Sequence, residues 1–212
     1  MKRILIVGAG GHGQVVADAL LKAQESGLPL CPIGFVDDSL ALQQQMIAGL
    51  PVLGRISQYP SLDFDEAILA IGNNQIRSRL FASFQSAGVS MAKVIHPSVS
   101  IARNVSIGPG TVVGAGVVIS IGASIGSNVI LNTACNVDHH NQIGDHVHIA
   151  PGVRMGGDVQ IGDGALIGIG ATVMPQRHVG AWSVVGAGAL VHANVLDGET
   201  VMGVPATVRK KG

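Results

Sequence analysis

From Ile95 onward the chain carries a bulky aliphatic at every sixth position: Ile95, Ile101, Ile107, Val113 and so on through Met155 to Val191, seventeen slots without a miss. Period six fits neither the 3.6-residue turn of an amphipathic helix nor the alternation of a half-buried strand. It is the period of a hexapeptide-repeat parallel β-helix, in which three short strands and three corners make one coil of about eighteen residues. The position after each aliphatic is mostly glycine, as at Gly108, Gly126, Gly144, Gly156 and Gly162, and the position four on is small or valine. Each unit therefore offers one large inward residue, one corner residue tolerant of unusual φ and one small inward residue. Stacked coils make their own core.

Before Ile95 the pattern changes. Residues 4–7 predict a buried strand, Gly8-Ala9-Gly10-Gly11-His12-Gly13 a tight turn, and residues 14–25 an amphipathic helix. Further strands are expected at 33–36, 51–53, 66–71 and 91–94, with a second helix over 74–86. Alternation of this kind predicts an α/β domain, a small parallel sheet with flanking helices that amounts to half of a dinucleotide-binding fold. The expected division is residues 1–94 and 95–212, jointed at His96-Pro97-Ser98. Past Val191 the repeat decays, and Gly203-Val204-Pro205-Ala206 with Lys210-Lys211 reads as a C-terminal tail.

Composition narrows the choice of partner. With 13 basic and 13 acidic side chains there is no basic stripe for nucleic acid and no polybasic patch for a membrane. Aromatics at 3% leave no stacking platform for single strands. Met1-Lys2-Arg3 leads into a strand rather than a long apolar stretch, so no signal peptide is expected, and two cysteines in different segments make a reducing cytoplasm the default. A small molecule or a second copy of the chain is the expected partner.

Gly8-x-Gly10-x-x-Gly13 between a strand and a helix, with Asp37 ending the second strand, fits a phosphate-binding fingerprint. A glycine-rich turn with no ligand is the alternative. Ninety residues hold one mononucleotide half and leave no room for a nicotinamide dinucleotide, so a nucleotide-sugar is the better fit.

The repeat is itself interrupted. Corner glycine gives way to Asn132 and Asp138, and the small inward slot to Asn141, with His139, His140, His146 and His148 around them, half of the chain's eight histidines. Local rules tend to break at functional places. Three accounts compete: solvated surface histidines, a zinc site as in the β-helical carbonic anhydrases, and acid–base catalysis with thioester binding. Cys135, in a small inward slot, reads as core rather than nucleophile. Arg177 also departs from the inward pattern, where it is either a partner for a coenzyme A phosphate or an ordinary loop arginine.

Taken together, Ile6-Val7-Gly8-Ala9-Gly10-Gly11-His12-Gly13, Phe35-Val36-Asp37-Asp38, Ala70-Ile71-Gly72-Asn73-Asn74, Ile95-His96-Pro97-Ser98, the stretch from Asn132 to His148 and Gly203-Val204-Pro205-Ala206 resemble the NeuD/PglD-like sugar acetyltransferases over essentially the full length. The resemblance implies a left-handed β-helix that binds acetyl-CoA, an N-terminal domain that binds a nucleotide-linked amino sugar, and a homotrimer with active sites at subunit junctions. It places Asp37 and Asp38 at the nucleoside, Gly10, Gly11, Gly13 and Asn73 by the diphosphate and sugar, and His12 close to the acceptor. It makes His139 the general base and brings His148 to the acetyl-CoA carbonyl, with Asn132 among the cofactor-binding residues. Coil arithmetic puts Gly157 one layer from His139. Its N–H is a candidate oxyanion donor, and with Gly156 it leaves space for a pantetheine arm. Many relatives follow the catalytic histidine with a carboxylate, whereas this chain has His140 and then Asn141, so Asp138 and His140 are the candidates to orient it. The expected activity is direct, metal-free N-acetylation; O-acetylation of a sugar such as sialic acid and a non-catalytic nucleotide-binding scaffold are the alternatives.

Overall fold

The computed structural model describes residues 1–209. Lys210 and Lys211 of the expected tail lie outside the described residues. The chain divides into two compact units, Met1–Pro97 and Ser98–Gly212.

In the first unit, β1 (Lys2–Val7), α1 (Gly11–Glu25), β2 (Leu30–Val36), β3 (Met46–Ile47), β4 (Leu50–Gly54), β5 (Glu66–Leu69) and α2 (Asn74–Ser86) follow in order. The sheet order is β3-β4-β2-β1-β5. β1 pairs in parallel with both β2 and β5, and β2 in parallel with β4, so β1 is an interior strand. Residues 4–7 are accordingly fully buried, as an all-parallel strand covered on both faces must be. Three expectations need correction. α1 starts at Gly11 rather than Gln14, because the Gln14 N–H already reaches the Gly10 carbonyl at 3.0 Å and closes the first turn. β3 was not expected; it forms an antiparallel hairpin with β4 through Ala48 (φ 49°) and Gly49 (φ 77°), a type I′ turn. The strand expected at 91–94 is reduced to a single bridge between Ala67 and Met91, with Val94–Ile95 forming a separate two-residue strand.

The second unit is a parallel β-helix of two-residue strands. Partners are 18 residues apart, as in Ser124 with Gln142 and His148 with Leu166. Face 1 runs through Ser106–Ile107, Ser124–Ile125, Gln142–Ile143, Gln160–Ile161 and His178–Val179. Face 2 includes Val112–Val113, Ile130–Leu131, His148–Ile149, Leu166–Ile167 and Val184–Val185. Face 3 is divided into Ser100–Ile101, Val118–Ile119 and Asn136–Val137, then Arg154–Met155, Thr172–Val173 and Leu190–Val191. The period-six aliphatics point inward and are almost all buried from Val113 to Val191. Corner positions in the left-handed region are held by glycine at some, such as Gly110, Gly122 and Gly164, and at others by Asn104, Asn128, Ala134, His140, His146, Asp158, Gln176 and Trp182. Past Val191, where the repeat decays, the stack still gains a rung before the expected tail. Thr200–Met202 pairs in parallel with Val184–Val185, then turns back to pair antiparallel with Thr207–Val208. No helix of the described residues is long and apolar enough to cross a membrane.

Candidate active site

In the N-terminal unit the glycines of the β1–α1 turn separate into two kinds. Gly8 has φ +103°, and a Cβ there would lie 2.9 Å from the Ala70 carbonyl oxygen; a Cβ on Gly13 would lie 2.1 Å from the Gly8 carbonyl oxygen. Those two are required by the fold. Gly10 and Gly11 are not, since a Cβ on either would meet nothing within 4 Å, and the same is true of Gly72 in the β5–α2 loop. Their bareness leaves open backbone at the end of the central strand pair, where a doubly wound sheet binds its ligand. α1 has no side-chain cap at Gly10 and no acidic residue in its first turn, so its first amides and the positive end of its dipole are offered outward.

Both carboxylates expected at the nucleoside accept from backbone amides within the unit. Asp37 Oδ2 accepts from the Ala9 N–H and Oδ1 from the Ser39 N–H, both at 2.8 Å, so this side chain braces the glycine turn. Asp38 Oδ1 accepts from the Ile56 N–H at 3.0 Å. Asn73 caps α2, its Oδ1 accepting from the Ile76 N–H at 3.0 Å. One turn on, Arg77 is fully buried and donates to the Ile71 carbonyl at 2.9 Å, fixing the loop that contains Gly72 and Asn73. Burial lowers its guanidinium to about 10. His12 is half-buried in the first turn of α1.

On the β-helix, the corner between faces 3 and 1, called corner I, gathers the reactive groups. Asp138 Oδ1 accepts from the His139 backbone N–H at 2.7 Å, so the carboxylate holds the turn and not the ring. His139 Nδ1 lies 3.1 Å from His140 Nδ1, with the rings 77° apart. The His139 imidazole extends over Gly157 in the next coil, where a Cβ would come within 2.1 Å of Cε1 and 2.2 Å of Nε2. Among the described residues nothing hydrogen-bonds the Gly157 amide. Asp158 joins the pair: ligand atoms of His139, His140 and Asp158 all lie within 4.8 Å of one another, and all three side chains are exposed.

Two asparagines shape this corner. Asn141 is fully buried, and its Oδ1 accepts from the Val159 N–H at 2.8 Å, tying the histidine turn to the coil above. Asn136 replaces a rung of face 3. Its Oδ1 accepts from the Met155 N–H and its Nδ2 donates to the Met155 carbonyl, each at 3.0 Å, which is why the face divides into two sheets there.

The sequence cluster of four histidines does not form one site in the chain. His146 sits at corner II, between faces 1 and 2, with its Nδ1 2.8 Å from Asn128 Nδ2. His148 projects from face 2, its Nε2 3.3 Å from Asn132 Nδ2 at the corner that follows. Face 2 is the side of the three-sided coil opposite corner I. A Cβ on Gly156 would meet the Pro175 ring at 2.6 Å, so this glycine is required by the stacking of the next coil on it. Arg177 is half-buried, and its Nε donates to the Pro175 carbonyl at 3.2 Å. Cys135 is 1% exposed, and burial pushes its thiol up to about 12. Asp158 and Asn136 were missed from sequence. The signal for Asp158 was available, since adding one coil to His140 gives Asp158 as surely as it gives Gly157 from His139.

The PglD N-terminal domain family matches residues 3–84, and the bacterial transferase hexapeptide (six repeats) family matches residues 158–193. Among solved structures, the acetyltransferase domain of PglB from Neisseria gonorrhoeae FA1090 is similar at 33% identity and TM-score 0.90, covering 99% of this chain and 100% of that one. PerB from Caulobacter crescentus, in complex with CoA and GDP-perosamine, is similar at 32% identity and TM-score 0.90, covering 99% and 98%. WeeI from Acinetobacter baumannii AYE is similar at 30% identity and TM-score 0.87, covering 99% and 100%. A nucleotide-type glycine turn ahead of a hexapeptide prism thus defines an acyltransferase of the left-handed β-helix class. Within that class the chain belongs to the NeuD/PglD-like sugar acetyltransferases, with acetyl-CoA as co-substrate.

Proposed function

We propose that the protein transfers acetyl from acetyl-CoA directly to the amino group of a nucleotide-linked amino sugar, with His139 as general base. The observation that carries this is corner I, where an exposed imidazole lies over an amide that nothing else engages. With His139 donating from Nδ1 to His140, Nε2 holds the lone pair and faces Gly157. Nitrogen attacks the thioester carbon, its proton passes to Nε2, and the C–S bond breaks as the thiolate recovers a proton. The Gly157 N–H stands ready for the oxygen of the tetrahedral intermediate. The GDP-perosamine complex of PerB supports an amino-sugar nucleotide as acceptor. In the N-terminal unit, the bare backbone at Gly10, Gly11 and Gly72 supports a diphosphate there.

His148 and Asn132 lie on the side of the coil away from corner I, and this favours a cyclic trimer. Acetyl-CoA held by face 2 of one copy then meets His139 of its neighbour. Light scattering should give three times 21.6 kDa. The chemistry is tested by thiol release. Acetyl-CoA with an amino-sugar nucleotide should liberate CoA, and the matching hydroxyl sugar should not. Release with the hydroxyl sugar alone would make the enzyme an O-acetyltransferase, and release with neither would leave a scaffold.

A further inference from the structure

We propose that Asp158 is the carboxylate that serves the His139–His140 pair, reaching it from the next coil and not from its own turn. The inference rests on His139 being the base. A histidine that accepts a proton becomes a cation, and a carboxylate nearby both favours that cation and helps fix the tautomer. Within the turn, no acid is placed to do this. Asp138 is engaged by the His139 backbone N–H at 2.7 Å, and His140 presents an imidazole nitrogen, not a carboxylate, at 3.1 Å.

The coil above supplies what the turn lacks. Asp158 occupies the left-handed corner position one layer over His140, with φ 57° against 58°. Its place is fixed on both sides. The Asp158 N–H donates to the His139 carbonyl at 3.0 Å, and the next amide, Val159, donates to the buried Asn141 side chain at 2.8 Å. From below, the His140 ring rests on Gly122, where a Cβ would come within 2.9 Å of Cδ2. The two imidazoles and the carboxylate therefore share one frame, with ligand atoms within 4.8 Å. That separation suits attraction through space or through one water, and the effect grows once bound substrates displace solvent from the corner.

Ile121 and Gly122 flank the pair from the coil below. Among the described residues, the cations on neighbouring coils are engaged by backbone carbonyls elsewhere. Arg154 donates to the Ala134 and Val153 carbonyls and Arg177 to the Pro175 carbonyl. Asp138, His140 and Asp158 are thus the titratable groups that face His139, and Asp158 is the one whose carboxylate is not tied to a backbone amide.

The test compares Asp158→Asn, Asp158→Glu, His139→Asn and the double variant His139→Asn/Asp158→Asn, using acetyl-CoA and an amino-sugar nucleotide that the unaltered enzyme accepts. Asp158→Asn removes a charge that favours the imidazolium. Its plateau kcat should fall roughly tenfold, and the acid limb of the kcat profile should move down by about half a unit to one unit. Both KM values should stay within about twofold. Asp158→Glu should restore the limb, and in the His139→Asn background Asp158→Asn should have no further effect. An inactive His139→Asn beside an Asp158→Asn with unshifted limb and unchanged kcat overturns the role of Asp158 alone. Turnover retained in His139→Asn removes the base assignment and this proposal with it. Stoichiometric zinc that is lost in Asp158→Asn, with activity lost on chelation, would make the trio a metal site instead.

Discussion

Corners I and II of the β-helix carry similar residue types in equivalent slots, yet their polar groups do different things. At corner II, Asp145 accepts from the Ser127 N–H at 2.6 Å, Asp163 from the Asp145 N–H at 2.8 Å and Asp197 from the Ala181 N–H at 2.8 Å. His146 is tied to Asn128 in the same column. These side chains fasten one coil to the next. At corner I the buried Asn141 fastens the coil above through the Val159 N–H, and Asp138 binds only its own turn. His139, His140 and Asp158 face one another at the surface, above an amide without a partner. In a repeat protein, residue type at a slot does not separate a fastener from a reactive group. The hydrogen-bond partner does.

The largest effect that this contrast predicts is at His139. His139→Asn keeps similar size and some hydrogen bonding but accepts no proton near neutral pH, so kcat should fall by roughly 10²- to 10⁴-fold with both substrates still bound. Turnover within a few-fold of the original would make corner I a fastener like corner II, leaving positioning of a neutral amine as the source of rate.

A smaller loss is expected at Gly157. Its φ lies outside the left-handed range, so alanine suits the backbone, and the nearest obstacle is the imidazole, 2.1 Å from the new Cβ. Gly157→Ala should fold, with a melting temperature close to the original, and displace the His139 ring. A shift of that size costs roughly 10- to 100-fold in kcat. Unchanged kcat would show that the ring position above Gly157 is not the reactive one.

Much of this contrast was legible from residue spacing. Period six gave the prism, the inward residues and the one-coil relation of His139 to Gly157. It did not give Asp158, because a left-handed corner residue reads as a turn former until the residue one coil below is asked what it is. Asn136 was hidden for another reason. Outward strand positions are usually polar, and nothing in the sequence marks an amide side chain that takes over a backbone rung. In the first unit the fingerprint located the turn, but all four glycines of Gly8 to Gly13 looked alike. Only packing shows that Gly8 and Gly13 serve the fold while Gly10 and Gly11 leave space. The β3–β4 hairpin escaped because Ala48-Gly49 is a weaker turn signal than Asn-Gly.

Corner II makes the reverse prediction. Asp163→Ala removes the acceptor for the Asp145 N–H and should cost about 1 to 2 kcal/mol of stability, seen as a melting temperature lower by roughly 2 to 6 °C. Because this side chain fastens coils and faces no reactive group, kcat and both KM values should stay within about twofold. A kinetic defect as large as that of Gly157→Ala would erase the distinction between the corners.

The smallest change is expected at Cys135, a thiol in the coil of His139. Its sulfur is buried in a small inward slot, and a thiol pushed up to about 12 is almost wholly protonated at neutral pH. The Arg154 charge lowers that value only in part, since desolvation is the larger cause. A ping-pong route would need this thiol to take the acetyl group before the sugar does, and burial denies it both ionisation and access. Cys135→Ala should therefore keep kcat within about twofold and cost no more than about 1 kcal/mol, because a small side chain leaves a small cavity. Initial-rate lines against the two substrates should intersect, as for a ternary complex, and protein denatured during turnover should carry no acetyl label. Parallel lines, a labelled protein and an inactive Cys135→Ala would together move the chemistry from the surface of corner I to the interior of the coil.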